Sequence, residues 1–400
     1  MTRRGHLPAG FRQMFVREIR DIVARPGLMF MLAPFPLLLF AALAMAFHLA
    51  LPRDLPIAIV DQDHSTLSRQ MVRLVDATPE AAVTAEVATL AEGRQRLLDG
   101  RAYAVVLIPP NTERDVMAER RPEVAFFFNY QLLTPGSLVA RAIGGALETV
   151  AAGISVEARV ALGADVASAT AAVAPIPVRQ SQLFNPSLDY IQFLLATIFP
   201  TMLQIFICTS AALSLARERQ DGADLGPTVQ LGRSLVRTIA GKLAPYTIAY
   251  LAVLWASDAV LVGLMGSSFS GDLAFHIVSG IVFVLAAQLL GATVGLVATN
   301  TMSGLSAVGV ITGPAFGFTG VTLPSLSMNS FSGLWAHALP VSSYLVIRVD
   351  NFVRGAPIAL SMSALLWLVG LVVVYGGVAI LLLWWHSAGS SLLRRGTMPC

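Results

Sequence analysis

Apolar positions along the chain fall into two rhythms. Near Leu28 to Ala50, Ile191 to Leu215, Leu243 to Met265, Leu273 to Ala298, Leu305 to Leu326 and Ile358 to Trp385 they run with few polar interruptions. A bilayer core needs about 20 consecutive apolar residues at a helical rise of 1.5 Å, and these six stretches meet that length. Each predicts a membrane-spanning helix, the fifth interrupted by Pro314, Pro324 and several glycines.

Between the first two spans the apolar runs shorten. LPIAIVD reads as a strand, and STLSRQMVRLVDATP sets Leu67, Met71, Leu74 and Val75 at helical spacing with Ser65 or Thr66 as cap. AAVTAEV, AYAVVLIPP and EVAFFFNY follow as strands, with TLAEGRQRLLDG and NTERDVMAE as helices between them. This alternation predicts a small α/β domain. A long helix from Pro135 to Leu162 follows, then an Ala, Pro and Gly-rich stretch before Asn185. Ahead of the first span, FRQMFVREIRDIVARPG places Phe11, Phe15, Ile19 and Ile22 on one helical face and most arginines elsewhere. That pattern predicts an amphipathic interfacial helix stopped by Pro26 and Gly27, although a basic segment here also serves simply to orient the span.

Composition agrees with a membrane protein: 55% of the residues are hydrophobic and 13% charged, against about 25% charged in soluble domains. Two cysteines, Cys208 inside a span and Cys400 at the end, provide neither a disulfide framework nor a thiolate metal cage. The net charge of +3 hides an asymmetry. Arg3, Arg4, Arg12, Arg17, Arg20 and Arg25 precede the first span, and Arg217, Arg219, Arg233, Arg237 and Lys242 follow the second. Basic residues near span ends are retained on the cytoplasmic side, so residues 1–27, 216–242 and the tail 387–400 with Arg394 and Arg395 are expected inside. Residues 51–190, with 12 basic and 16 acidic side chains, are expected outside. The fold class is then a polytopic α-helical membrane protein. It has six transmembrane helices, one at residues 28–50 and five within 191–386, plus an extracytoplasmic α/β domain. The small residues of ALAMA would permit cleavage of the first span as a signal peptide, but its apolar core is longer than usual and a long segment precedes it. Nothing in the charge pattern points to nucleic acid.

Candidate chemistry is sparse. Asp61 and Asp63, beside His64, end the first strand and lead into a helix, where carboxylates and hydroxyls satisfy exposed amides. A cation contact there remains the minority reading, since the further oxygen ligands, glycine and glutamate of an EF-hand loop are missing. Thr197, Thr201, Gln204 and Cys208 share one face of the second span, as pathway-lining candidates or as interhelical hydrogen-bonding groups. Gly291 and Gly295 in the fourth span, and Gly309, Gly313 and Gly317 in the fifth, form stripes that favour close helix packing. Asp258 is a carboxylate within the third span, open to a transport role, to hydration, or to pairing with Arg348 or Arg354. No G-x-x-x-x-G-K-[ST] occurs, since IAGKLAP lacks the glycine-rich loop and the hydroxyl.

Six segments in order, LPIAIVDQDHSTLSR, AYAVVLIPPNTERDV, ARERQDGADL, GKLAPY, GFTGVTLPSLSMN and LPVSSYLVIRVDNFVRGA, resemble the permease subunits of the ABC-2 family, in the branch with a large extracytoplasmic domain between the first two spans. The resemblance covers nearly the whole chain. It implies the transmembrane subunit of an ATP-driven exporter in a bacterial inner membrane, moving a drug-like, lipid-like or other hydrophobic substrate outward. No cofactor is expected on this chain, since ATP and Mg are used by a partner ATPase. The further partners implied are a second permease copy or paralogue and membrane lipid, with a periplasmic adaptor admitted. The connection 216–242 is implied to couple to the ATPase through Arg217, Glu218, Arg219, Gly222 and Asp224, although Ala223 stands where the family commonly has threonine. The segment 322–357, with Pro324, Pro340 and Tyr344, is implied to be re-entrant. The rival readings are a membrane-anchored receptor or scaffold, which needs fewer spans, and an intramembrane enzyme, which needs convergent titratable groups that the sequence does not display.

Overall fold

The computed structural model describes residues 10–47, 53–118, 120–129, 131, 133–173, 194–267, 269–319 and 328–395. The chain divides into two compact units, residues 51–181 and residues 1–50 with 182–400.

The smaller unit is a four-stranded sheet of β1 (Leu55–Asp61), β2 (Ala81–Glu86), β3 (Ala104–Ile108) and β4 (Ala125–Phe128), in spatial order β2-β1-β3-β4. β1 runs parallel to β2 and β3, whereas β4 is antiparallel to β3. Ile57, Ala58, Ile59 and Val60 are all fully buried, as are Ala104 and Val105, which is why both central strands are unbroken apolar runs. Helices α4 (Thr66–Asp76), α5 (Leu90–Leu98) and α6 (Thr112–Met117) make the connections. Three helices, α1 (Phe11–Val23), α2 (Pro26–Leu32) and α3 (Pro34–Phe47), precede β1 in the chain. α7 (Leu133–Ala161) packs against α4, β2, β3 and β4, and α8 (Val166–Val173) packs on α7.

Asp61 holds the turn that leaves β1. Its Oδ1 accepts the amides of Asp63 at 2.9 Å and His64 at 3.0 Å, and its Oδ2 accepts the Ser68 hydroxyl at 2.7 Å. Ser65 Oγ caps α4 by accepting the Ser68 amide at 3.0 Å. Asp63 Oδ2 accepts the Glu113 amide in the first turn of α6 at 3.1 Å, where the helix dipole favours a carboxylate. Asp61→Ala is therefore expected to destabilise this unit by about 1–2 kcal/mol. Hydrogen exchange of the full-length protein should show faster exchange in α4 and α6. Unchanged protection would overturn this capping role, and a stoichiometric divalent ion lost on substituting either aspartate would instead assign a metal site.

The larger unit holds α1 (Phe11–Val23), α2 (Pro26–Leu32), α3 (Pro34–Phe47), α9 (Ala196–Ala216), α10 (Gly226–Gly232), α11 (Leu235–Gly263), α12 (Leu273–Val297), α13 (Thr301–Thr312), α14 (Ala315–Phe318), α15 (Ser330–Ala338), α16 (Pro340–Arg348) and α17 (Ile358–Arg395). Among the described residues, six helical stretches are long and apolar enough to cross a membrane: Pro135–Ala161, Ala196–Arg219, Leu235–Gly263, Leu273–Val297, Thr301–Phe318 and Ile358–Ser387. The first expected span departs from expectation. It is a pair of helices, Pro26–Leu32 and Pro34–Ala46, bent by 43°. Pro34 and Pro36 lack the amides that would continue the helix through Ala33. Conversely, Pro135–Ala161 passes the span criteria yet belongs to the sheet unit, where Leu138, Val139, Ile143 and Val150 are buried and Arg141, Glu148, Glu157 and Arg159 interrupt its length.

α9 lies at the centre of the larger unit, packed against α2, α3, α11, α12, α13 and α16. A side chain on Gly291 of α12 would run into the Cys208 backbone of α9, so glycine is what allows that approach. The stripe on α13 behaves differently. Among the described residues Gly309 and Gly317 have no neighbour near a would-be Cβ, so they mark no close helix approach there. Exposed Leu366, Trp367, Val373, Val374, Leu381, Trp384 and Trp385 on α17 are the outward apolar surface that lipid solvates.

Candidate functional site

Two buried charged clusters lie on α11. Lys242 and Asp258 are 16 positions apart, about 24 Å at the helical rise.

At the first, α1 packs its Met14, Glu18 and Ile22 face against α11. A Cβ at Gly241 would lie 2.6 Å from Met14 Cβ. Glu18, 1% exposed, accepts hydrogen bonds from Lys242 Nζ, the Tyr246 hydroxyl and the Ser214 hydroxyl, each at 2.8 Å, and pairs with Arg217 at 3.5 Å. Lys242 Nζ also donates to Glu218 Oε1 at 2.9 Å. Glu218 in turn accepts Arg17 through both oxygens at 2.9 and 3.1 Å and the Thr228 hydroxyl at 3.0 Å. The network joins α1, the end of α9, the 3-10 turn Arg217–Gly222, α10 and α11. Buried charges are tolerated only when paired and hydrogen-bonded, and here every member is.

This arrangement places two of the coupling candidates within the network. Arg217 and Glu218 face inward, because the amphipathic helix presents Arg17 and Glu18 to them. Arg217 donates to the Leu213 carbonyl and the Tyr246 hydroxyl, and Arg219 to the carbonyls of Leu296 and Ala298. Gly222 ends the 3-10 turn. Asp224 is exposed and accepts the Gly226 amide at 2.9 Å at the start of α10. Sequence reasoning passed over Glu18, Ser214, Thr228 and Tyr246. A signal for Lys242 was present: it is the single lysine in a chain whose Lys+Arg total is 27. A compact ammonium with three donors suits a site shared by two carboxylates.

At the second cluster Arg348, 1% exposed, forms a two-pronged pair with Asp258, Nη1 to Oδ2 at 3.1 Å and Nη2 to Oδ1. Its Nε donates to the Ala196 carbonyl at 2.7 Å and its Nη1 to the Tyr344 hydroxyl at 3.2 Å. His276 Nε2 lies 2.9 Å from Asp258 Oδ2, and the Tyr344 ring stacks on Phe283 at 4.3 Å. Of the two arginines open to Asp258, Arg354 pairs instead with Asp350 at 2.9 Å. Trp255, Asp258, Phe269 and His276 line a cavity of about 420 Å³.

The four pathway candidates are buried between helices: Thr197 at 2%, Thr201 at 1%, Gln204 and Cys208 at 0% exposure. Thr201 bonds back to the Thr197 carbonyl, Gln204 Oε1 accepts the Val341 amide at 2.7 Å, and Cys208 Sγ donates to the Ala287 carbonyl at 3.1 Å. Within this chain they take part in packing and hydrogen bonding between helices, and Gly291 of α12 brings its backbone against Cys208. Pro324 lies outside the described residues. Pro340 begins α16 after an extended Leu339, giving two short helices, α15 and α16, in place of one long one.

Comparison with curated proteins and with solved structures returns no match. A family model described as ABC-2 family transporter protein matches residues 25–381, and the chain belongs to that family.

Proposed function

We propose that this chain is the transmembrane subunit of an ABC exporter, moving a drug-like, lipid-like or other hydrophobic substrate outward across a bacterial inner membrane. A separate ATPase supplies the power, and a second copy or a paralogue completes the pathway. Positive-inside counting supports cytoplasmic termini and an outward sheet unit. The observation that carries the reading is the double attachment of α10. Its Leu225, Thr228 and Gly232 side is buried, with Thr228 bonded to Glu218, while Asp224, Pro227, Gln230 and Arg233 are exposed. A partner pressing on that exposed edge acts through Glu218 and Lys242 on α1 and α11 together. α10 and its flanks, rather than Glu218 itself, are the docking element.

Gln230→Cys is expected to cross-link to the ATPase subunit in native membranes, and the purified assembly is expected to contain two permease chains with one ATPase each. A purified chain that exports without any ATPase, or an α10 that labels freely while the ATPase is bound, would overturn the proposal. The scaffold reading leaves the α10 attachment without a use.

A further inference from the structure

We propose that the groove between α11, α12 and α17 is the binding site of one anionic phospholipid, its acyl chain in the groove and its phosphate on Arg12 and Arg237. The inference rests only on these helices crossing a membrane, not on the export reading.

The groove encloses about 690 Å³ and is walled by Ala244, Ile248, Leu289, Val373 and Gly377, with Phe11 of α1 at the Val236 end. Its one hydroxyl, Thr247, is already engaged with the Leu243 carbonyl and Gln288 Oε1. No polar group is left wanting a partner on these walls, so they suit a hydrocarbon chain. The volume lies in the range of roughly 300–1,000 Å³ typical of ligand sites. Gly377 makes the room, since a Cβ there would have no neighbour within 4 Å.

Charge selects the occupant. Arg12 follows Phe11, and Arg237 precedes Ala240 by three positions and Ala244 by seven, on the same helical face. Both guanidinium groups are exposed, and among the described residues neither has a hydrogen-bond or ion-pair partner. Two unpaired guanidinium groups, each next in sequence to a residue that lines the groove, Phe11 or Val236, match a phosphate, which arginine binds through two parallel donors, and basic groups between helices at a membrane surface recruit anionic headgroups. A second copy of the chain fits poorly. A second copy seated with this groove on the twofold axis would bring the arginines of the two chains together.

The test uses full-length protein in nanodiscs of dioleoyl phosphatidylglycerol and dioleoyl phosphatidylcholine, which share their acyl chains, with retained lipid counted by native mass spectrometry. One phosphatidylglycerol per chain is expected, preferred by roughly tenfold or more. Arg12→Gln with Arg237→Gln should bring the preference near unity while a lipid is still retained. Gly377→Leu, which fills the groove, should abolish retention of both lipids; Val373→Trp provides a second blocking variant if the first does not fold. Equal retention of the two lipids by the native protein, an unchanged preference in the double arginine variant, displacement by inorganic phosphate alone, or a dimer seated on this face would each overturn the proposal.

Discussion

Glu18→Ala is expected to destabilise the protein by about 3–5 kcal/mol, the penalty for removing one partner from a buried ion pair. Glu18 is the acceptor for Lys242, Tyr246 and Ser214 and pairs with Arg217. Its loss leaves two hydroxyls without their acceptor and Arg217 without its carboxylate. Lys242 keeps Glu218. The clean measurement is a double-mutant cycle with Lys242→Ala on thermal unfolding of detergent-purified protein. A coupling of roughly 1–3 kcal/mol is expected, because contacting residues of one network are not additive. Lys242→Arg should not restore the native value, since a planar guanidinium cannot replace an ammonium held between two carboxylates in a close-packed site. Native unfolding in Glu18→Ala, or strict additivity, would remove the cluster from the account of how α1 is held.

What the sequence disclosed and what it withheld follows from the range of the interactions. Hydropathy located the membrane helices because lipid demands length and apolarity locally. The sheet unit was legible from LPIAIVD onward because strand, cap and helix lie within a few residues of one another, with Ser65 capping α4. The break at Ala33 was written in APFP but is masked by a hydropathy window that scores proline as one residue among many. Hydropathy also cannot tell a helix solvated by lipid from one whose first half packs one side on a sheet, which is why α7 qualifies as a span. Ion partners were withheld for a different reason: Arg17 and Glu218 are 201 positions apart. The apolar spacing puts Phe11, Phe15, Ile19 and Ile22 on one face of α1; Ile22 is buried with Met14 and Glu18, yet Phe11 and Ile19 are substantially exposed. A glutamate on the packed side has meaning only once Lys242 is known to face it.

Arg348→Ala is expected to be the other severe substitution, again by about 3–5 kcal/mol. The guanidinium uses three nitrogens on three elements: Nε on the Ala196 carbonyl of α9, Nη1 on Asp258 of α11 and Tyr344 of α16, and Nη2 on Asp258. Arg348→Lys should recover little, because one ammonium cannot reproduce that fork. Asp258→Asn leaves Arg348 buried, at 1% exposure, without a counter-charge, and is expected to be nearly as damaging. The pair Asp258→Leu with Arg348→Met separates structure from transport. Replacing both members by apolar side chains is often neutral for stability, so the double variant should unfold closer to native than either single one. Export measured on that variant then decides the role of the charges. Recovered stability with recovered export assigns the pair to holding α9, α11 and α16 together. Recovered stability with lost export assigns Asp258 and Arg348 to the transport step, and single variants that unfold like the native protein would refute both assignments.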